Sequence, residues 1–245
     1  MIQPEVAPGI HRGEDANTNF YVVQDGDRLT VVDACTPASW GTLRDLVQRI
    51  GRSLDDVEAL VLTHAHYDHV GFAERARKEL GVPVWVHEDD VPLARHPLLY
   101  GRERSVVNYL PNPRFWPIVA GFVRARAFFP PGVEHPSRFS NGALDVPGSP
   151  RMLPTPGHTL GHCSLHFEDR ATVIAGDAIV MLDPYTVRPG PRLVARAATA
   201  DVERNLETLD AIAATGAQTV LTGHGAPWTG GAEAAVERAR AADVG

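Results

Sequence analysis

The sequence predicts an α/β fold of alternating strands and helices, and three observations carry that expectation. Short runs rich in Val, Ile, Leu and Thr recur along the chain with segments of helical spacing between them, the mark of a layered arrangement. Four of these runs stop at or just before a residue able to do chemistry: Asp33, His64, Asp177 and His224. At 245 residues, with 44% hydrophobic and 22% charged side chains, the chain is long enough for one large domain with a substantial core. The whole of it, 1–245, reads as a single domain.

Taken in order, residues 19–24 and 29–34 are rich in Val, Tyr and Thr. The Gln-Asp-Gly-Asp between them is turn chemistry, so the pair reads as a β-hairpin. Its second strand ends at Asp33, which suits a turn or a cap ahead of a helix. Leu43, Leu46, Val47 and Ile50 have the three-and-four spacing of a helix over 39–50 with one buried face, ended by Gly51. Residues 59–62 are an apolar strand, 70–80 a helix stopped by Gly81, and 82–87 a further strand.

From about 96 to 141 the pattern breaks. Tyr100, Tyr109, Phe115, Trp116, Phe122, Phe128 and Phe129 interleave with Arg102, Arg104, Arg114, Arg124 and Arg126, giving a helical or irregular insertion rich in aromatics. Aromatic and Arg side chains together suit a mostly apolar pocket that also receives an anionic group. Aromatics packed onto the domain, with the arginines as a solvated face or dimer contact, are the equal alternative. Beyond it, 151–155, 163–167 and 171–175 read as strands, the last two joined by the turn Glu168-Asp169-Arg170. Residues 198–214 read as a helix, 219–222 as a strand, and 228 onwards as a closing Ala- and Arg-rich helix.

The stretch after the 59–62 strand carries the chemistry. It reads Thr-His-Ala-His-Tyr-Asp-His, so His64, His66, Asp68 and His69 fall within six residues. Alternate residues of an extended segment point the same way, so His64, His66 and Asp68 converge while His69 faces a neighbouring position. Imidazole with carboxylate suits zinc and, less selectively, iron or manganese, whereas calcium or magnesium would call for more oxygen ligands. The spacing offers ligands for two adjacent ions. A polar loop with surface histidines is the plain alternative, and four such side chains behind an apolar strand argue against it.

His64-x-His66-x-Asp68-His69 resembles the signature of the metallo-β-lactamase superfamily. The later motifs fall in the order that family requires: His158 in Thr-Pro-Gly-His-Thr-Leu-Gly-His, Asp177 in Ala-Gly-Asp-Ala, and His224 in Thr-Gly-His-Gly. The resemblance spans nearly the whole chain and is specific for the superfamily rather than for one substrate. It implies a four-layer αββα sandwich with metals at one edge between the sheets and the 96–141 insertion over the active-site face. It further implies that His64, His66 and His158 hold one ion, Asp68, His69 and His224 a second, and that Asp177 bridges them. Asp33 becomes a support for the ligands, and His162, four residues after His158, a structural histidine. The expected cofactor is Zn2+, two per chain, with Fe or Mn as alternatives.

Two such ions share and acidify a water, so the activity expected is hydrolysis. Asp68 is the candidate catalytic residue, orienting the nucleophile or passing its proton to the leaving group. No Gly-x-Ser-x-Gly elbow competes as a serine-hydrolase site. Within the superfamily, zinc β-lactamases carry Cys or Ser where this chain has Asp177. Hydroxyacylglutathione hydrolases and persulfide dioxygenases continue after that Asp with a Gly-Arg motif, where this chain has Ala178-Ile-Val. Only a short helix is expected after Trp228, which does not resemble the glutathione-binding C-terminal domain of the former. Acyl-homoserine lactonases carry a Tyr shortly after the Asp, where Val180 stands here and Tyr185 comes five residues later. The expected substrate is therefore a carboxylic ester, lactone or thioester of a small molecule. The alternatives are a mononuclear iron redox enzyme of the persulfide dioxygenase type, a metallo-nuclease, and a binding protein without catalysis.

The formal net charge of −7 disfavours nucleic acid as a partner. The N-terminus lacks the cationic start and apolar core of a secretory signal, and no apolar run reaches membrane-spanning length. The expectation is a cytoplasmic protein with a small-molecule substrate, no membrane or nucleic-acid partner, and a homodimer as a compatible state. Cys35 and Cys163 are too few for a disulfide framework and read as buried small hydrophobes.

Overall fold

The computed structural model describes residues 1–245. The first sheet runs in chain order through β1 (Ile2–Ala7), β2 (Ile10–Asp15), β3 (Thr18–Asp25), β4 (Arg28–Val32), β5 (Val57–Val61), β6 (Val84–His87) and β7 (Ser137–Phe139). β1 to β4 are antiparallel neighbours, and β5, β6 and β7 each add in parallel. The second sheet contains β8 (Gly142–Ala143), β9 (Arg151–Pro154), β10 (Cys163–Phe167) and β11 (Thr172–Gly176); beyond the two-stranded ribbon β12 (Val180–Leu182) and β13 (Pro189–Arg192), β14 (Thr219–Thr222) completes it in parallel against β11. The helices are α1 (Trp40–Arg49), α2 (Ala73–Leu80), α3 (Val91–Arg95), α4 (Phe115–Arg124), α5 (Val202–Ala213) and α6 (Ala232–Ala241).

Side-chain alternation on the strands builds the layers. On β3, Tyr21 and Val23 face Leu165, Phe167 and Ile174 of the second sheet, forming the core between the sheets. Phe20 and Val22, one step out of phase, pack outward with Leu43, Leu46 and Val47 of α1 and Ala73 and Ala76 of α2. Val173, Ala175 and Val220 on the far side of the second sheet are covered by Leu209 and Ile212 of α5 and Ala235, Val236 and Ala239 of α6. Helix, sheet, sheet, helix is the αββα sandwich.

The hairpin appears as β3 and β4, with Asp25 opposite Arg28 across a two-residue turn. Three helices begin later than the sequence indicates, for one reason: α6 starts at Ala232 rather than near 228 because Trp228 exchanges backbone hydrogen bonds with Val220 of β14. Gly71 N and Phe72 N donate to the carbonyls of Cys35 and Ala34, which holds the chain against the end of β4 until α2 starts at Ala73. Likewise Ala200 N and Asp201 N donate to the carbonyls of His158 and Gly157, and α5 starts only at Val202, capped by the Asp201 side chain accepting from Arg204 N at 2.9 Å. The 96–141 segment contains α4 and a 3-10 turn over Val106–Tyr109 before delivering β7 to the edge of the first sheet. No helix is long and apolar enough to cross a membrane.

Candidate metal centre

The seven side chains singled out in the sequence come together at one edge of the sandwich. His64, His66, Asp68 and His69 lie on the loop leaving β5, His158 on the loop between β9 and β10, Asp177 directly after β11, and His224 directly after β14. β5, β11 and β14 run in parallel pairings, and the crevice outside the carboxyl ends of such strands is where loops from both halves converge.

Three groups of donor atoms result, with the atoms of each group within 4.8 Å of one another: His64, His66 and His158; His64, His69 and Asp177; Asp68, His69 and His224. Asp177 Oδ2 stands between them, 3.2 Å from His224 Nε2, 3.5 Å from His158 Nε2 and 3.7 Å from His69 Nε2.

The surroundings fix which ring nitrogen faces inward. His224 Nδ1 donates to the Asn17 carbonyl at 2.7 Å, and His69 Nδ1 to Asp33 Oδ2 at 3.2 Å. Thr63 Oγ1 commits its proton to Asp33, so it accepts from His64 Nδ1 at 3.0 Å; Thr199 Oγ1 commits its proton to the Val194 carbonyl, so it accepts from His158 Nδ1 at 3.4 Å. In these four rings Nδ1 is the donor, which turns Nε2 to the centre. Asp33, far from capping a helix, is fully buried and orients His69 while also accepting from Thr63 N at 2.8 Å. His162 uses both nitrogens elsewhere: Nε2 accepts from Asp177 N at 3.0 Å and Nδ1 donates to Thr155 Oγ1 at 2.9 Å. It has no lone pair left for an ion, and it positions Asp177.

The fit to a metal can be tested on unpaired atoms. The Nε2 atoms of His64, His66, His69 and His158 and Oδ1 of Asp177 are buried without any hydrogen-bond partner, an arrangement that costs free energy unless something else satisfies them. Burial and the neighbouring imidazoles push His64 and His158 well below the ordinary histidine value, and burial takes His66 down to about 3. Burial works against the charged form of Asp177 too, but His224 and His69 outweigh it and hold the carboxyl below the usual range. These are the neutral imidazoles and the ionised carboxylate that ligate metals. Burial lowers His69 and His224 too, but Asp177 outweighs it, raising His224 and, with Asp68, taking His69 up to about 10, so these two would give up a proton to an ion. Gly223 makes the packing possible, since a Cβ there would lie 2.0 Å from Asp177 Oδ1 and 2.6 Å from His69 Cε1.

The family model of the metallo-beta-lactamase superfamily matches residues 13–224. The chain belongs to that superfamily. It is 29% identical to the probable metallo-hydrolase YflN of Bacillus subtilis, over 92% of this chain and 87% of that protein. It is 28% identical to the N-acyl homoserine lactonase AttM of Agrobacterium fabrum over 74% of this chain and 62% of the other. Among solved structures, the metallo-beta-lactamase family protein TTHA1429 of Thermus thermophilus matches with a TM-score of 0.66 and 25% identity, over 94% of this chain and 78% of that one.

In this superfamily member two features around the donors escaped the sequence reading. Asp90, an unremarkable acid in Glu-Asp-Asp, is fully buried between the loops that carry His64 and His158. Its signal in the sequence is weak, because nothing local distinguishes it from exposed Asp89. The second feature is a cavity of about 180 Å³ that adjoins the donor space through Tyr67, Pro184 and Tyr185 and is walled by Tyr100, Phe115, Trp116 and Phe122 among others. Tyr185 thus reaches the site, lining both this cavity and the donor space. The arginines of the insertion do not: all six, Arg138 included, are exposed and none lines the cavity, so Tyr100, Phe115, Trp116, Phe122 and Phe128 form the pocket without them. Cys35 and Cys163 are buried free thiols, each pushed up to about 12 by burial.

Proposed function

We propose that this protein is a dinuclear zinc hydrolase acting on a carboxylic ester, lactone or thioester of a small molecule. The observation that carries the reading is the set of unpaired inward atoms on His64, His66, His69, His158 and Asp177, grouped into overlapping donor triads. His64, His66 and His158 would hold one ion and Asp68, His69 and His224 the other, with Asp177 shared between the two sets of donors. Such an ion pair supplies an acidified water and a Lewis acid for the oxygen that gains charge.

The chain's own residues do the rest. Asp68 is the most accessible of the seven, 6% exposed against 3% or less for the others. Its Oδ2 faces His224 Nε2 at 3.5 Å and the Thr18 hydroxyl at 3.4 Å, which leaves Oδ1 to take the proton of the attacking water and deliver it to the leaving group. Asp33, Thr63, Thr199 and the Asn17 carbonyl keep the imidazoles in the ligating tautomer, and His162 holds the backbone that carries Asp177. The similarity to a probable metallo-hydrolase and to an acyl homoserine lactonase supports the reaction class.

Elemental analysis of protein purified without added metal, paired with a hydrolysis screen of esters, lactones and thioesters, tests the reading. Near two zinc per chain, with turnover abolished by chelator and restored by zinc, is the expected result. One iron per chain with oxygen uptake and no hydrolysis would replace it with a redox function.

A further inference from the structure

The space that His66, Asp68, His158, Asp177 and His224 enclose is small, about 10 Å³, close to what one water needs. The body of any organic substrate therefore lies outside it. Two recesses flank Tyr100, whose ring lies 4.7 Å from that of His66. Neither is walled by a donor, and the larger, about 360 Å³, carries Asp89, Asp90 and His96 and shares no residue with the donor space. The smaller, about 180 Å³, shares Tyr67, Pro184 and Tyr185 with the donor space. It is the recess from which a group reaches the reacting centre.

Its walls specify what enters. Phe115, Val119 and Phe122 recur on one face of α4 and line it together with Val106 from the preceding turn. No charged side chain lines the cavity, so an ionised group inside would lose its hydration without a partner. The inner end is buried at Tyr67 and Tyr185, 7% and 6% exposed, and the outer end opens past Trp116 and Leu110, 52% and 39% exposed. A closed apolar cavity of about 150 Å³ holds benzene, so the enclosed part of this one seats about one ring, and anything longer runs out past Trp116 and Leu110 into solvent. A long acyl chain or a peptide-bearing thiol exceeds the enclosed part.

Resting on the hydrolase reading above, we infer that the substrate carries on one side of its scissile bond a compact, uncharged, apolar group the size of a single aromatic ring, and that this group seats in the cavity under α4.

Two readouts on the metal-replete full chain test this. In the first, methyl acetate, methyl phenylacetate and methyl dodecanoate are compared, with benzyl acetate as the mirror case that places the ring on the alcohol. At least one ring-bearing ester should exceed methyl acetate at least tenfold in kcat/KM, with the dodecanoate falling back. In the second, benzyl alcohol is titrated by calorimetry, with no reaction involved. Val119→Trp, which fills the cavity, should remove both the ring preference and the binding. Val106→Phe from the facing wall serves as a second filling variant, with thermal melting and metal content confirming that each is folded. Phe129→Ala, exposed and outside the cavity, should keep the wild-type ratio. If no ester turns over but benzyl alcohol binds the wild type and neither filled variant, the hydrolase reading falls and the apolar site stands. If the esters turn over without ring preference and benzyl alcohol does not bind, the hydrolase reading stands and this inference is overturned.

Discussion

The Thr159 hydroxyl donates to Asp90 Oδ2 at 2.7 Å, joining two loops that lie 69 residues apart in sequence. The same oxygen accepts from Ala65 N at 3.0 Å, and Oδ1 accepts from Gly161 N at 2.8 Å. Ala65 lies between His64 and His66, and Thr159 follows His158, so one buried carboxylate sets the spacing of three donor rings. In Asp90→Asn the amide nitrogen must face one of these three donors, leaving a buried N–H or O–H unpaired at a cost of about 1–3 kcal/mol. The expected result is a lower melting temperature and zinc affinity weakened roughly 10–100-fold, the range for groups that orient ligands. Thermal melts and competition with a chelating dye measure both; unchanged values would show that the loops hold their spacing without the carboxylate.

Gly223→Ala tests how tightly the donors are packed. With its Cβ directed at Asp177 Oδ1 and His69 Cε1, the alanine must displace one ligand or the turn after β14. Zinc stoichiometry should fall below that of the wild type, and turnover should drop by at least about two orders of magnitude, as a misplacement near 1 Å does in a preorganised site. Gly26, a turn glycine with nothing within 4 Å of an added Cβ, supplies the contrast: Gly26→Ala should cost a little stability through its φ of +62° and leave metal content unchanged.

The sandwich and the donors were legible because their signals are local. Period-two and three-and-four spacing mark β3, β4, α1 and α5, and four ligating residues within six mark the loop after β5. What escaped depends on contacts between distant segments. β1 and β2 escaped because the Ile2–Ala7 run has mixed polarity and only its pairing with the next strand holds it. The starts of α2 and α5 were misplaced because backbone groups of 71–72 and 200–201 bond to loops far away in sequence. Asp90 looks like its neighbour Asp89 until the fold buries one and not the other. The arginines and aromatics of the insertion are interleaved in sequence, and only the helical face of α4 separates the cavity-lining ring of Phe122 from the exposed side chain of Arg124.

Asp68→Asn separates metal holding from proton transfer. The amide keeps the shape of the carboxylate and one ligating oxygen but cannot take a proton. At matched zinc content kcat should fall by about 10²–10⁴-fold, the usual contribution of a positioned acid–base group. KM should change little. Steady-state kinetics with metal analysis on the same preparation decide the matter, and unchanged kcat at full zinc would remove Asp68 from the proton path.

Glu74 provides a pH dependence that is independent of the donors. It sits in the first turn of α2, where Arg77 Nε donates to Oε2 and Nη2 to Oε1, both at 2.8 Å; Lys78 Nζ lies 3.0 Å from Oε1, and Glu134 N donates to Oε2 at 3.2 Å. The Arg77 guanidinium, helped by Lys78, holds the Glu74 carboxyl down to about 2 from an ordinary 4.5. The folded value lies below the unfolded one, so the contribution to stability is complete above the unfolded pKa and is lost as pH falls towards 2. Denaturant unfolding of the wild type and Glu74→Gln, with chelator present throughout so that metal release does not enter, should show a constant stability gap from pH 7 to about pH 5. The gap should then narrow steadily and close near pH 2. A gap that is the same at pH 3 as at pH 7 would show that the Glu74 carboxylate charge is not what joins α2 to the segment at Glu134.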